Sequence, residues 1–472
     1  MHTTLPSDNL YELLEDRFRA AGDGIAFRSA AGRPLLTYAQ LRGLVCRLAN
    51  ALTACGVQPG DRVSAQIDKS IGAVGLYLAA LKTGAAYHPI NPAYVRREVD
   101  DFLDDADPRL VVSSQARASD LRPAARRRGV RFETLDDHDA GSLAELAATQ
   151  LDQHTSCPRS GGDLAGLLYT SGTTGRCKGA MITHANLSTN AVTLHRLWAF
   201  EPGDILIHAL PVFHVHGLYV ALHTAFLNGS EIIWLPRLEI GDLLRSLRSA
   251  TVMMGVPTFY ARLLAEPGFG RDACAAMRLF VSGSAPLPAA VHAEFLRRTG
   301  HAVLERYGMT ETGMIASNPY RGDRVAGTVG FPLPDVAVRI ADDQGRTVAR
   351  GATGMIEVRG PNVFKGYWRR PDLAGDDFRA DGFFVTGDLG TMDSEGRIAI
   401  VGRARDLIIS GGLNVYPKEV EQALDRLAGI TESAVIGLPH PDLGEAVVAV
   451  ATVSKQSASE GDIIGALGTS LA

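Results

Sequence analysis

A chain of 472 residues is too long for a single core, and with 46% hydrophobic residues it has the material for two or more packed units. Its 47 basic side chains against 52 acidic ones give a formal net charge of −5, which excludes the broad basic surface of a nucleic-acid binder and leaves any anionic ligand to a locally built site. The cysteines (Cys46, Cys55, Cys157, Cys177, Cys274) are scattered without metal-ligand spacing, which speaks against disulfides and structural zinc and for a reducing, cytoplasmic setting.

In chain order, the start MHTTLPSDNLYELLEDRFRA carries acidic residues where a secretion signal needs an apolar stretch. Runs of strand length then alternate with helical patterns: RVSAQI, SIGAVGLYLAALKTG and AAYHPI, followed by RLVVSS, SEIIWL, TVMMGV and RLFVSG. This alternation predicts α/β layers with parallel sheets. Two apolar stretches raise the question of a membrane. Residues 71–81 end at Lys82 and are far short of a span, while residues 205–230 contain Pro211 and the histidines His208, His214, His216 and His223. Both predict buried core, and no membrane association.

Between Gly327 and Ile400 the texture changes to short β-like pieces (VAVRIA, GMIEVRG, GRIAIVG) separated by Gly, Asp and Pro. After Gly402 a charged turn, RARD, opens a new unit read as LIISGG, a helical PKEVEQALDRLAG, the strands SAVIGL and EAVVAVATV, and a helix starting in EGDIIGALGTSLA. The expected organisation is a large N-terminal domain over 1–403, with a β-rich subdomain at 327–400, and a small mobile C-terminal α/β domain over 404–472.

The stretch richest in chemistry is LYTSGTTGRCKGAMITH, residues 168–184. An apolar strand, a Gly/Ser/Thr loop, a lysine and a following helix predict a phosphate site. Glycine lets backbone N–H groups approach, hydroxyls add donors and lysine adds a point charge. The Walker spacing does not fit, because the fifth residue after Gly172 is Cys177 and Lys178 is followed by Gly179. A solvent-exposed polar turn is the competing reading.

The segment YTSGTTGRCKGAMITH resembles the phosphate-loop signature of the adenylate-forming superfamily, which comprises acyl-CoA synthetases, peptide-synthetase adenylation domains and luciferases. Further motifs follow in that family's order: LPVFHVHG (210–217), GSAPL (283–287), ERYGMTETG (305–313), GYW (366–368), TGDLG (386–390), GRARDLIISGG (402–412) and YPKEVE (416–421). Where the family usually has proline before the lysine, this chain has Cys177.

The resemblance implies an enzyme that joins a carboxylate to the α-phosphate of ATP, releases pyrophosphate with Mg²⁺ neutralising charge, and then lets the thiol of coenzyme A displace AMP. By the same resemblance Thr170, Ser171, Gly172, Thr173, Thr174, Gly175 and Lys178 hold phosphates. Gly283, Ser284, Ala285, Glu305, Arg306, Tyr307 and Gly308 bind the nucleotide, with Tyr307 stacked on adenine. Thr310 touches the α-phosphate, Glu311 binds the metal, His214 joins these two as a catalytic residue, and Asp388 with Arg403 holds the ribose. Arg405 is the hinge, and Gly411 and Gly412 form the loop that approaches the CoA thiol. Taken singly, Tyr307 would be core, Glu311 a solvated charge and Asp388 a turn former; the joint pattern lifts them above those readings.

Within the superfamily, MRLFVSGSAPL, GHAVLERYGMTETGMIASNPY, AGTVGFPLP and GPNVFKGYW are similar to malonyl-CoA synthetases. That implies malonate, or a small 2-substituted malonate, as the acid. A second carboxylate is costly to bury alone, and a guanidinium is its planar bidentate partner. Arg278, just ahead of the strand that leads into GSAPL, is the expected clamp, with Ser282 and His214 as supporting donors and Met314 limiting room for a substituent. The bland reading of Arg278 is a cap on the strand's exposed end. Two alternatives stand beside malonate: an acyl-CoA synthetase for a short or medium monocarboxylic acid, and a nucleotide-binding protein with little turnover. Family members continue into a PRxxxGK motif whose lysine assists adenylation. This chain stops at Ala472, so it is expected to form the adenylate slowly and to retain thioester formation.

Overall fold

The computed structural model describes all residues except 1–6, 8, 171–177, 371–376, 411–412, 441–442, 454–458 and 471–472. The chain divides into two compact units, one of residues 1–337 with 359–378 and the other of 338–358 with 379–472. This division differs from a single boundary at residue 403, since most of the β-rich segment goes with the C-terminal residues.

The first unit carries two sheets. In the six-stranded sheet the order is Arg131–Thr134, Leu110–Ser113, Arg62–Gln66, Ala86–Pro89, Leu164–Thr170, Lys178–Thr183. The first five run parallel and the last is antiparallel to its neighbour. The helix Ile71–Lys82, capped by Ser70, makes the crossover between Arg62–Gln66 and Ala86–Pro89 and is buried along almost its whole length. It is the expected core helix, apolar on every face because it has no solvent side. Lys82 at its end is buried against the carboxylate of Glu15, 3.0 Å away.

The nine-stranded sheet has a parallel centre made of Ile25–Ser29, Glu231–Trp234, Ile205–His208, Val252–Gly255, Leu279–Ser282 and Leu304–Met309, flanked by antiparallel strands at both edges. The histidine-rich stretch becomes Ile205–His208, a π-helix at His216–Ala221 and the helix Leu222–Asn228, all core. Among the described residues no helix is long and apolar enough to cross a membrane. Those cysteines that are described are free.

The second unit begins with a four-stranded sheet ordered Ala337–Ala341, Gly354–Arg359, Phe384–Met392, Ile398–Arg403, the last three antiparallel, as the short β-like pieces predict. A second sheet, with Ile408–Ser410, Ile430–His440 and Gly444–Val453, is covered on one face by helices Pro417–Leu424 and Glu460–Ser470 around Ile408, Leu424, Ile430 and Val435. Proline at the helix start suits its missing N–H.

Candidate active site

A strand pair and a hairpin turn of the first unit meet at the site. Strand Leu164–Thr170 pairs antiparallel with Lys178–Thr183, Thr170 lying opposite Lys178. The helix expected directly after the lysine starts only at His184, where Thr183 and Asn186 form a capping box. Lys178 therefore opens a strand, and the first amides of the later helix are taken within the fold, His184 N by Asp163 O, Ala185 N by Gly161 O and Asn186 N by Thr183 Oγ1. Ser171, Gly172, Thr173, Thr174 and Gly175 lie outside the described residues.

The hairpin turn joins strands Leu304–Met309 and Gly313–Ser317 and carries Thr310 and Glu311. Glu311 is buried. Its Oε1 accepts hydrogen bonds from Thr170 Oγ1 and from the Tyr367 hydroxyl, each at 3.1 Å. Lys178 Nζ stands 4.9 Å from the Tyr367 ring centroid and 3.5 Å from Asp377 Oδ2. Burial, then the charges of Glu311 and Asp377, push the Tyr367 phenol up, so its hydroxyl keeps the proton it donates. Thr170, Lys178 and Glu311, distant in sequence, are thus brought together through Tyr367, which the sequence reading quoted within GYW without giving it a role.

The donor set suits magnesium. A carboxylate and a hydroxyl are hard oxygen ligands, and Mg²⁺ takes few protein ligands when phosphates and water supply the rest. Among the described residues there is no cluster of three or more His, Cys, Asp or Glu side chains able to hold a metal.

A second feature lies at the C-terminal end of strand Leu279–Ser282, the end at which parallel α/β sheets bind ligands. Arg306, on the neighbouring strand, lays its guanidinium over Gly283. A Cβ there would stand 2.3 Å from Arg306 Cζ, so only glycine admits it. Arg306 is 3% exposed, and its Nε and Nη2 have no hydrogen-bond partner. Burial pushes its pKa down to about 10. The Ser282 hydroxyl and His216 Nε2 are likewise buried without a partner. His216 Nδ1 lies 3.2 Å from the Ser284 hydroxyl, and Ser284 holds a left-handed backbone (φ 70°), the kind of strain found at functional sites. Burial, with the Arg306 charge adding to it, pushes the His216 imidazole well below its usual value, so the ring is neutral.

Two expectations do not survive this geometry. Arg278 sits at the N-terminal end of strand Leu279–Ser282. Its Nε donates to Asp204 Oδ1 at 2.7 Å, Nη2 pairs with Asp204 Oδ2, and Nη1 reaches Trp198 O. A guanidinium already saturated by a buried carboxylate at the far end of the strand is a structural ion pair, close to the bland reading. His214 is exposed and lies tilted against Phe213, with ring centroids 4.4 Å apart; the buried imidazole at the strand end is His216, two residues on. The π-helical turn opening at His216 needs Gly217, since a Cβ there would meet Pro211 O at 2.0 Å.

The other predicted residues fall in both units. Glu305 Oε1 accepts from Leu287 N, bracing the GSAPL loop that includes Ala285. Tyr307 is buried in the strand beside Ala316. Met314, also buried, reaches back over Gly308, where a Cβ would be 2.5 Å from its Cε. In the second unit, considered alone, Asp388 is buried and pairs with Arg403 (Nε–Oδ1 3.0 Å) across the strands Phe384–Met392 and Ile398–Arg403. Arg405 is exposed in the short 3₁₀ turn Ala404–Asp406. Gly411 and Gly412 lie outside the described residues.

A hydroxyl, a carboxylate and a lysine gathered from distant strands, together with a buried guanidinium at the carboxyl end of a parallel sheet, fit an α/β enzyme that acts on anionic ligands. The chain belongs to the AMP-binding enzyme family: the family model matches residues 14–368, and that of the AMP-binding enzyme C-terminal domain matches 419–472. It is similar to the malonate–CoA ligase of Arabidopsis thaliana, 34% identical over 419 residues that make up 84% of this chain and 68% of the relative. It is equally similar to a feruloyl-CoA synthase of Amycolatopsis sp, 34% over 440 residues, 91% of this chain and 86% of the relative. Among solved structures, ATP-bound MatB from Rhodopseudomonas palustris is 48% identical with a TM-score of 0.96, covering 99% of this chain and 93% of that one. The chain is an AMP-forming acid–CoA ligase that works through an acyl-adenylate with ATP, Mg²⁺ and coenzyme A.

Proposed function

We propose that the acid is malonate or a small 2-substituted malonate, and that Arg306, rather than Arg278, takes its second carboxylate. The observation that carries this reading is the buried guanidinium with unpartnered Nε and Nη2 beside the unpartnered Ser282 hydroxyl and His216 Nε2. A buried charge without a counterion is costly, and a small dianionic acid is the ligand that offsets the cost, one carboxylate meeting Arg306 while the other stays free to react. The malonate–CoA ligase relative supports the same substrate. A feruloyl-type aromatic acid would leave the guanidinium unpaired.

In this reading Lys178, with Thr170 at the loop's edge, holds the departing phosphates, and Thr310 contacts the α-phosphate as the carboxylate attacks. Glu311 and Thr170 would hold magnesium, which when bound neutralises charge on the phosphates. Tyr307 stacks on the base, Glu305 and the GSAPL loop border it, and Asp388 with Arg403 takes the ribose hydroxyls. Arg405, in its exposed turn, is the hinge between the two steps. Neutral His216 and the Ser282 hydroxyl hydrogen-bond the clamped carboxylate, and Met314 sets how large a 2-substituent fits.

The test is a panel of malonate, methylmalonate, butyrate and ferulate with ATP and CoA, followed by AMP and pyrophosphate release. Malonate and methylmalonate are expected to dominate. Preference for butyrate or ferulate would overturn the substrate while leaving the ligase class intact.

A further inference from the structure

Residues 361–368 touch both the strand that carries Lys178 and the turn that carries Glu311. On one side they pair with the strand that carries Lys178: Met181 N donates to Gly366 O (3.0 Å), Lys365 N to Met181 O (3.0 Å) and Trp368 N to Gly179 O (2.7 Å), with an antiparallel bridge between Ala180 and Tyr367. On the other side Phe364 N donates to Glu311 O at 2.7 Å. Asn362 Nδ2 donates to Thr312 O and Met314 O at 2.9 and 3.1 Å. Asn186, at the start of the helix that follows the lysine strand, fastens the segment again, its Nδ2 donating to Pro361 O and Val363 O at 2.8 Å each.

Tyr367 stands where the two sides meet. Its hydroxyl is committed to the Glu311 carboxylate, and its ring lies beside the Lys178 ammonium. A lysine and a glutamate brought into one small site tend to pair with each other, which would use up the charges the phosphates and the metal need. Here each has another partner: the Tyr367 hydroxyl donates to the carboxylate, while the ammonium lies against the ring and 3.5 Å from Asp377 Oδ2.

We propose that residues 361–368 act as a splint that locks the strand carrying Lys178 to the Thr310–Glu311 turn, with Tyr367 as the positioning residue that seats the Glu311 carboxylate while its ring lies against the Lys178 ammonium. The inference rests on reading Glu311 as the metal-binding residue and Lys178 as a phosphate contact. The splint is the excursion of the first unit between two parts of the second, so the chain enters and leaves it through residues of the other unit.

The experiment is Tyr367→Phe in the full chain, which removes one hydroxyl and keeps the ring. Two half-reactions are measured separately: pyrophosphate release with ATP and the best acid of the panel, and thioester formation from the supplied acyl-adenylate and CoA. Loss of a hydrogen bond to a charged group should slow pyrophosphate release about tenfold to a hundredfold. The Mg²⁺ concentration for half-maximal rate should rise, while the KM for the acid and the thermal midpoint stay put and thioester formation is unchanged. Asn362→Ala should shift the same half-reaction in the same direction without touching a charged group. Equal loss in both half-reactions, or an unchanged Mg²⁺ dependence, would overturn the splint. Glu311→Gln separates the two readings. If it leaves pyrophosphate release intact, the assignment of Glu311 fails; if it abolishes release while Tyr367→Phe behaves as wild type, the splint alone fails.

Discussion

Two arginines, one just ahead of a strand and one on its neighbour in the same sheet, meet burial in opposite ways. Arg278 enters its strand from the N-terminal end and is held by Asp204, which also accepts from Thr251 and from Glu201 N. Although burial pushes the Asp204 carboxyl up, the hydrogen bond from Arg278 leads those that hold it below its usual value. Arg306 lies beyond the other end of that strand, more deeply buried and with two nitrogens unserved. The difference teaches that burial of a charge alone says little about its purpose. A charge whose partners come from the fold belongs to the fold, and one the fold leaves without partners is a candidate for a ligand.

Arg306→Met breaks the comparison most directly. Removing one partner of a buried, hydrogen-bonded charge pair costs about 2–5 kcal/mol, so kcat/KM for malonate should fall about 10²–10³-fold. The thermal midpoint should hold or rise, because an uncompensated charge leaves the core. Undiminished use of malonate would return the clamp to another residue. Arg278→Met is the mirror experiment. It strands the Asp204 carboxylate and should cost about 3–5 kcal/mol of stability, read in denaturant unfolding, with KM for malonate unchanged; a raised KM in a stable variant would reverse the two assignments.

A finer probe is Gly283→Ala, whose methyl would occupy the space of the Arg306 guanidinium. Displacing the group without deleting it should raise KM for malonate about tenfold, on the view that one strained contact is worth about 1–2 kcal/mol. No effect would mean that the guanidinium is not held against this strand end. The smallest effect expected near neutrality is in pH. His216 is neutral in the fold, so KM for malonate should show no titration between pH 6 and 8, and a step near 6.5 would mean an imidazolium in the pocket. His184, pushed down to about 4 by burial, and His88 and His223, pushed to about 3, have folded values below the unfolded one near 6.5. Below that pH the unfolded chain binds protons the fold refuses, so stability should fall as pH drops from about 6.5 toward 4. A flat acid limb would mean that these rings protonate in place.

Much of this was legible in the chain itself. The α/β alternation, the apolar helix Ile71–Lys82 and the β-rich stretch after Gly327 all follow from periodicity and composition. Two misreadings have physical causes. The lysine strand KGAMIT is short and runs straight into the helix that starts at His184, so the break between periods is hidden and the hairpin reads as strand–loop–helix. Arg278 drew attention by standing next to a strand that leads into the site, but parallel sheets bind at the carboxyl ends of their strands, so a residue before the strand lies at the wrong end. That rule was available without coordinates. The orphaned atoms of Arg306 and His216, and the meeting of Tyr367 with Glu311, were not, because they depend on which polar atoms the folded chain leaves without partners.

The path of residues 359–378 bears on how such enzymes can be recombined. Because residues 338–358 and 379–472 form one unit around an excursion into the other, a single crossover at residue 403 would transfer only part of the second unit. It would leave the strands Gly354–Arg359, Phe384–Met392 and Ile398–Arg403 with the old host. A graft that moves the unit whole needs three junctions, near 338, 358 and 378, and it keeps the recipient's own 359–378 segment. Hybrids built that way would exchange the small unit while the alignment of lysine and glutamate stays native to the acid-binding half.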